Sequence, residues 1–132
     1  MTKKLFLFGI ISCLVAVILG ALGAHYLKDL LTEDQMNSLQ TANRYQWYHS
    51  IAILIVCVMN KNNDRMLNWI GNVFAFGIVL FSGSIYLLAL KDYLNYEQLS
   101  FLGPITPIGG FVLITGWALF AFVVSKNMLK TN

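Results

Sequence analysis

Four stretches of this chain carry no Asp, Glu, Lys or Arg, and their lengths decide what it can fold into. They cover residues 5–27, 45–60, 66–90 and 98–125, which is 23, 16, 25 and 28 residues. A helix needs about 20 apolar residues to cross about 30 Å of hydrocarbon. The first, third and fourth stretches meet that length. The second covers only roughly 24 Å at about 1.5 Å per residue, so its helix must begin earlier or thin the bilayer locally. Composition agrees, with 58% of residues hydrophobic and 11% charged, where soluble domains carry about a quarter charged. A soluble enzyme, a disordered chain and a nucleic-acid binder are thereby excluded; the net charge of +3 comes from scattered basic residues. Two cysteines and two prolines exclude a disulfide scaffold and a proline-rich linker. The sequence predicts an all-α, integral membrane four-helix bundle, one transmembrane domain over residues 1–132 with spans at about 5–27, 44–60, 66–90 and 104–125.

The segment before the short second stretch supplies its missing turns. Thr32-Glu33-Asp34-Gln35 reads as a capping box, with Thr32 as N-cap and Gln35 reaching back. Acidic residues in the first turn suit the positive helix end. No Gly or Pro interrupts residues 33–59, which predicts one long second helix starting at the outer interface, polar to about Asn43 and then entering lipid. Tyr45, Trp47 and Tyr48 sit where an interfacial aromatic belt belongs. The first stretch is too long for a signal-peptide core of about 7–15 residues, so an uncleaved first helix is expected. Ile10-Ile11-Ser12-Cys13 faintly resembles a lipoprotein cleavage box but lies mid-span.

Orientation follows from Lys and Arg in the short connections. With the N-terminus in the cytoplasm, the inner segments hold Lys3, Lys4, Lys61, Arg65, Lys126 and Lys130 against one acid, Asp64. The outer loops hold Lys28, Arg44 and Lys91 with Asp29, Glu33, Asp34, Asp92 and Glu97. The bias predicts a multi-pass protein of the plasma (cytoplasmic) membrane, N-in/C-in, with both termini cytoplasmic.

Lipid supplies no hydrophobic force for helix association, so small residues at the contacts matter most. Gly9, Ser12, Ala16, Gly20 and Gly23 recur at spacings of 3, 4, 4 and 3, one continuous stripe. Gly71, Ala75, Ser82 and Ala89 form another in the third helix, and Gly110, Ala118, Ala121 and Ser125 a less regular one in the fourth. Leu27-Lys28-Asp29-Leu30 resembles Leu90-Lys91-Asp92-Tyr93-Leu94, either the trace of a duplicated hairpin or coincidence.

The unusual residues gather on the outer side. They give a candidate pocket of His25, Arg44, Gln46, His49, Ser82, Tyr86, Thr106 and Pro107. Intramembrane ionisable residues are functional candidates, but two histidines without a nearby Cys or buried carboxylate make poor ligands, so no metal is expected. On a regular helix His25 lies about 140° round from the Gly20 stripe. Arg44 either grips a phosphate or carboxylate or snorkels to the interface. Tyr45 and His49, four apart, share a face and are placed to hydrogen-bond inside the bundle. Cys13 and Cys57 read as small apolar side chains. In Gly103-Pro104-Ile105-Thr106-Pro107-Ile108-Gly109-Gly110, proline disfavours helix at the residue before it, so Gly103 and Thr106 are expected extended or at a bend. Pro107 suits a first helical turn, and the glycines admit a neighbouring backbone. This segment is either a packed re-entrant turn or a pocket wall.

Gly20-Ala21-Leu22-Gly23-Ala24-His25, Thr41-Ala42-Asn43-Arg44-Tyr45-Gln46-Trp47-Tyr48-His49, Phe81-Ser82-Gly83-Ser84-Ile85-Tyr86-Leu87 and Leu102-Gly103-Pro104-Ile105-Thr106-Pro107-Ile108-Gly109-Gly110 together carry a resemblance over nearly the whole chain. The sequence resembles the small four-span membrane proteins of the domain of unknown function 423 family, which include a transmembrane-protein-256 type in animals. The resemblance implies a multi-pass membrane protein and no particular activity.

Three functions compete. The first is a non-catalytic binder of lipid, quinone or a partner subunit at the outer leaflet, with membrane lipids, a membrane protein partner or a second copy as partners, and no nucleic acid. The second is a minimal small-solute or ion transporter or channel, favoured by a broken fourth helix and tandem hairpins. No acidic residue lies in any span, however, so coupling would rest on His49 alone. The third, an intramembrane enzyme with His25 or His49 as base, lacks a nucleophile, paired carboxylates and a phosphate loop. No cofactor and no catalytic residue is assigned.

Overall fold

The computed structural model describes residues 3–131, with side chains as far as Lys126. Residues 1, 2 and 132, and the side chain of Lys130 counted above among the basic residues, lie outside the described residues. The chain is all-α. Four long helices follow in order: α1 (Lys3–His25), α2 (Glu33–Met59), α3 (Arg65–Leu90) and α4 (Ile105–Thr131). A 3₁₀ turn, Leu27–Asp29, follows α1, and another, Glu97–Leu102, precedes α4. Within α3 the residues Val79–Gly83 form a π turn. Three segments, Lys3–His25, Arg65–Leu90 and Glu97–Lys126, are long and apolar enough to cross a membrane. α2 is not, because its continuous apolar run begins only at Ile51 and ends with the helix at Met59.

The start of α2 follows the predicted chemistry. The Thr32 hydroxyl accepts from Gln35 N–H at 3.3 Å while Gln35 Oε1 accepts from Thr32 N–H at 2.9 Å. α2 then runs unbroken to Met59. Asp64 caps α3, its carboxylate accepting from Met66 N–H at 2.7 Å and Leu67 N–H at 3.1 Å. These bonds satisfy donors that no helical carbonyl reaches.

α2 and α3 form the central pair, with α1 packed on α2 and α4 on α3. On α1 the residues Gly9, Ser12, Ala16 and Gly23 are buried, as the small-residue stripe predicts, and a Cβ added at Gly9 would sit 2.8 Å from Leu54 Cδ2. Gly71, Ser82 and Ala89 of the α3 stripe are buried too. The α4 stripe is corrected: Ala118, Ala121 and Ser125 are exposed, and the packed positions are Gly109, Leu113, Gly116 and Phe120. A helix apolar all round has no periodic signal, and its contact face there is set by two glycines alternating with large side chains. The main core joins Ile53, Val56, Ile70, Phe74 and Leu113 from three helices.

A smaller core of Leu27, Leu31, Leu39 and Ala89 closes the end that carries the α1–α2 and α3–α4 connections. There Gln35 Nε2 donates to Asp92 Oδ2 at 2.7 Å, tying the first turn of α2 to the α3–α4 connection. Around the outside, large apolar side chains lie open, Phe111 at 71% and Ile114 at 65% exposure among them. A surface this apolar is matched to hydrocarbon rather than water.

The twin-proline segment also differs from expectation. Thr106 lies inside α4 and not at a bend, whereas Gly103 lies in the turn that joins the 3₁₀ segment to α4, with right-handed rather than extended backbone (φ −50°, ψ −52°). Gly103 has no Cβ to clash with the Pro104 ring. Pro107 stands in the first turn, where its missing N–H has no helical acceptor to lose. The fourth helix is therefore unbroken from Ile105, and residues 105–110 of the segment are helical rather than a re-entrant turn. Its glycine does admit a neighbour: a Cβ at Gly109 would lie 2.5 Å from Phe81 N and 2.8 Å from Leu80 C. The α4 backbone is thus pressed directly against the π turn of α3.

Candidate functional site

The buried half of α2 presents Asn43, Gln46 and Ser50 at spacings of 3 and 4, one helical face turned toward α1 and α3. Gln46 Nε2 donates to Ser12 O at 2.9 Å, and Gln46 Oε1 accepts from the Tyr86 hydroxyl at 2.8 Å. Asn43 Nδ2 donates to Ala16 O at 2.7 Å and to the Tyr86 oxygen at 3.3 Å. Ser50 Oγ lies 2.7 Å from Ser12 Oγ and 2.6 Å from Gln46 O. Three helices are therefore joined by one polar network, every member of which is satisfied. Asn43 and Ser12 are not in the candidate pocket read from sequence, where Ser12 figures only as a packing residue of the α1 stripe; the spacing of Asn43 to Gln46 is the signal for the first.

Beside this network a groove of about 290 Å³ opens sideways between α1 and α3, floored by Gln46 of α2. Ile11, Val15 and Leu19 form one wall, and Ile78, Ser82 and Tyr86 the other. Ser82 is 1% exposed, and its Oγ has no hydrogen-bond partner among the described residues. Elsewhere the helices dispose of such hydroxyls by bonding them back one turn: Ser38 to Asp34 O, Thr41 to Asn37 O, Thr115 to Phe111 O. Ser82 stands inside the π turn, where the carbonyl spacing of a regular helix is lost. π turns occur often at functional sites, and a buried polar atom left unpaired costs about 1–3 kcal/mol.

The remaining predicted residues lie elsewhere. His49 is buried but faces α4 from the opposite side: Nδ1 lies 2.7 Å from Tyr45 O, and its ring is 6.1 Å from that of Trp117. The structure thus adds to the predicted Tyr45–His49 pairing a stacked ring contact at 5.8 Å. Thr106 Oγ1 is 2.7 Å from Ser84 Oγ, joining α4 to α3. His25, Arg44 and Pro107 are exposed, with Arg44 Nη2 donating to Thr41 Oγ1 at 3.2 Å. Of the predicted set, Gln46, Ser82 and Tyr86 share one groove; it lies between α1 and α3 rather than against α4. Cys57 is buried and Cys13 half-buried, and both are free thiols.

No solved structure matches the chain. The sequence profile of the family described as "Protein of unknown function (DUF423)" matches residues 19–110, which takes in the α2 and α3 members of the polar network, Ser82 and the twin-proline segment. A UPF0382 membrane protein of Staphylococcus epidermidis (strain ATCC 12228) is 38% identical over 124 residues, 94% of this chain and 97% of that protein. A UPF0382 membrane protein of Staphylococcus saprophyticus is 37% identical over 124 residues, covering 94% of this chain and 98% of its own length. Another, of Staphylococcus haemolyticus, is 38% identical with 94% and 97% covered. By profile and by relatives matched almost end to end, this chain is a membrane protein of the DUF423 family.

Proposed function

We propose that the chain threads the plasma membrane four times as a bundle, both termini in the cytoplasm, and serves as a non-catalytic binder of an amphipathic molecule of the lipid or quinone type. Lys3, Lys4, Lys61, Arg65 and Lys126 fall at the ends of helices that point one way, and the acidic connections at the other. Lys91 at that second end lies 3.6 Å from Glu97 and 3.8 Å from Asp92. This is the asymmetry expected of cytoplasmic basic ends. In this orientation α2 enters the lipid near Tyr45, and Ser82 and Tyr86 fall in the outer half of α3.

The single observation that carries the binding reading is the buried, unpaired hydroxyl of Ser82, a residue that lines a mostly apolar groove. A ligand oxygen that reached this hydroxyl would remove the penalty of its missing partner, while the ligand's chain lies along Ile11, Val15 and Leu19. Pockets of this kind combine apolar walls with few polar groups. The transport reading rested on a broken fourth helix and tandem hairpins; α4 is continuous from Ile105, which removes the first of these supports.

Native mass spectrometry of the protein released from its own membrane tests the reading. A retained adduct of lipid or quinone mass is expected on the wild type. A Cβ at Gly83 meets nothing within 4 Å, so Gly83→Leu fills the groove without a clash and should shed the adduct. A wild type without adducts, or an adduct indifferent to Gly83→Leu, would sink the proposal.

A further inference from the structure

We infer a second, separate binding site on the other side of α3, between α2 and α4, where His49 Nε2 accepts a hydrogen bond from the ring hydroxyl of a planar, lipid-soluble aromatic molecule of the hydroquinone class. The starting point is the tautomer. His49 Nδ1 lies 2.7 Å from Tyr45 O, and a carbonyl oxygen only accepts, so Nδ1 carries the proton. In a neutral imidazole the other nitrogen is then an acceptor. The ring is 5% exposed, and none of the charge-free stretches supplies a carboxylate to stabilise a second proton. No described residue donates to Nε2, and that atom is not enclosed by protein, so the groove that His49 lines gives a donor access to it.

The surroundings specify what carries that donor. His49 lines a groove of about 550 Å³ together with Tyr45, Phe81, Gly110, Ile114 and Trp117, within the range of about 300–1,000 Å³ usual for small-molecule sites. Tyr45 stacks on the imidazole at 5.8 Å and 24°, and Tyr45 and Phe81 meet at 4.7 Å, giving flat walls on two helices. Aromatic walls favour a planar ring by stacking or edge contact. Tyr48 and Ile114, 57% and 65% exposed, form the lip, so the occupant arrives from the hydrocarbon and not from water. Esters, carbonyl quinones and hydrocarbon chains bring no donor, whereas a ring hydroxyl brings both the donor and the plane. Gly110 keeps the floor open: a Cβ there would meet only Phe81 ring carbons at 3.6 and 3.7 Å, an ordinary contact.

The test uses the full chain in phosphatidylcholine nanodiscs, labelled with ¹⁵N-histidine and carrying His25→Gln so that one imidazole is observed. A short-chain alkylhydroquinone is titrated in, and the corresponding quinone, which lacks the hydroxyl, in parallel. A saturable shift of the Nε2 resonance with the hydroquinone and none with the quinone is expected. Gly110→Leu should weaken the hydroquinone response at least tenfold, and Gly83→Leu should leave it unchanged. If Gly110→Leu does not fold, Ile114→Trp narrows the same groove from a lipid-facing position and should act alike. No shift, equal shifts with both probes, or a shift that survives a filled groove would overturn the site. Because Gly83→Leu blocks only the α1–α3 groove, failure here is distinguishable from failure of the lipid reading above.

Discussion

Gly109 and Gly110 are neighbours in α4, yet adding one methyl to each should have opposite effects. At Gly109 the new Cβ would stand 2.5 Å from Phe81 N and 2.8 Å from Leu80 C. Both atoms are backbone, so no rotamer change relieves the contact. Restoring an ordinary carbon separation moves α4 away from α3 by roughly 1 Å, and a gap of that size forfeits up to about half of each dispersion contact along the seam. Leu113 against Gly77 and Phe74 against Gly116 are on that seam. Overpacking of this kind costs about 1–3 kcal/mol and occasionally more. Alanine returns about 0.5–1 kcal/mol through the stiffer unfolded chain. Gly109→Ala should therefore lose up to about 2.5 kcal/mol net, whereas Gly110→Ala, with its nearest contact at 3.6 Å, should be neutral or gain up to about 1 kcal/mol. Reversible unfolding by sodium dodecyl sulfate in mixed micelles, followed by far-ultraviolet circular dichroism, measures both. Equal stabilities for the two variants would refute the backbone-to-backbone contact at the π turn.

Ser82→Ala should stabilise the ligand-free protein by about 1 kcal/mol, because it deletes a buried hydroxyl that has no partner; the same unfolding assay after delipidation checks it. Tyr86→Phe strands Gln46 Oε1 and should cost about 0.6–2 kcal/mol. In a Gln46→Met background the same change should cost less, a non-additivity that a double-mutant cycle reads directly. Asp64→Ala removes acceptors for two N–H groups at the start of α3 and should cost about 1 kcal/mol, visible as an earlier unfolding midpoint. A cysteine placed in residues 91–103 should react with a membrane-impermeant maleimide added outside intact cells, and one at residue 62 should not; the reverse pattern would invert the proposed orientation.

The parts of the fold legible from sequence are those that rest on local chemistry. The Thr32–Gln35 box marked the start of α2, and the 3-4 spacing of Gly9, Ser12, Ala16 and Gly23 marked the α1 seam. The α4 seam was not legible, because Gly109, Leu113, Gly116 and Phe120 mix the smallest and largest side chains in a helix apolar on all sides. Nor was the π turn, since nothing in Val79-Leu80-Phe81-Ser82-Gly83 alone distinguishes it from a regular turn; its setting is tertiary, with Gly109 against it. Polar residues inside an apolar chain were easy to find. Their destinations were not: Gln46 and His49 are three apart on one helix, yet Gln46 turns to α1 and α3 while His49 turns to α4. Helix rotation decides that, and rotation is fixed by neighbours.

A π turn holds one residue more than the α-helical turn it replaces, so α3 carries a built-in surplus between its two halves. Removing a single residue from 79–83 would leave Arg65–Ile78 and Ser84–Leu90 in the phase each would have on a straight rod. Most one-residue deletions in a spanning helix swing everything downstream by about 100°. Here the shortening would instead erase the local widening and hand the serine back a carbonyl one turn away. α3 is thus a helix whose length is negotiable at one place, and that place is where its side chains face both grooves.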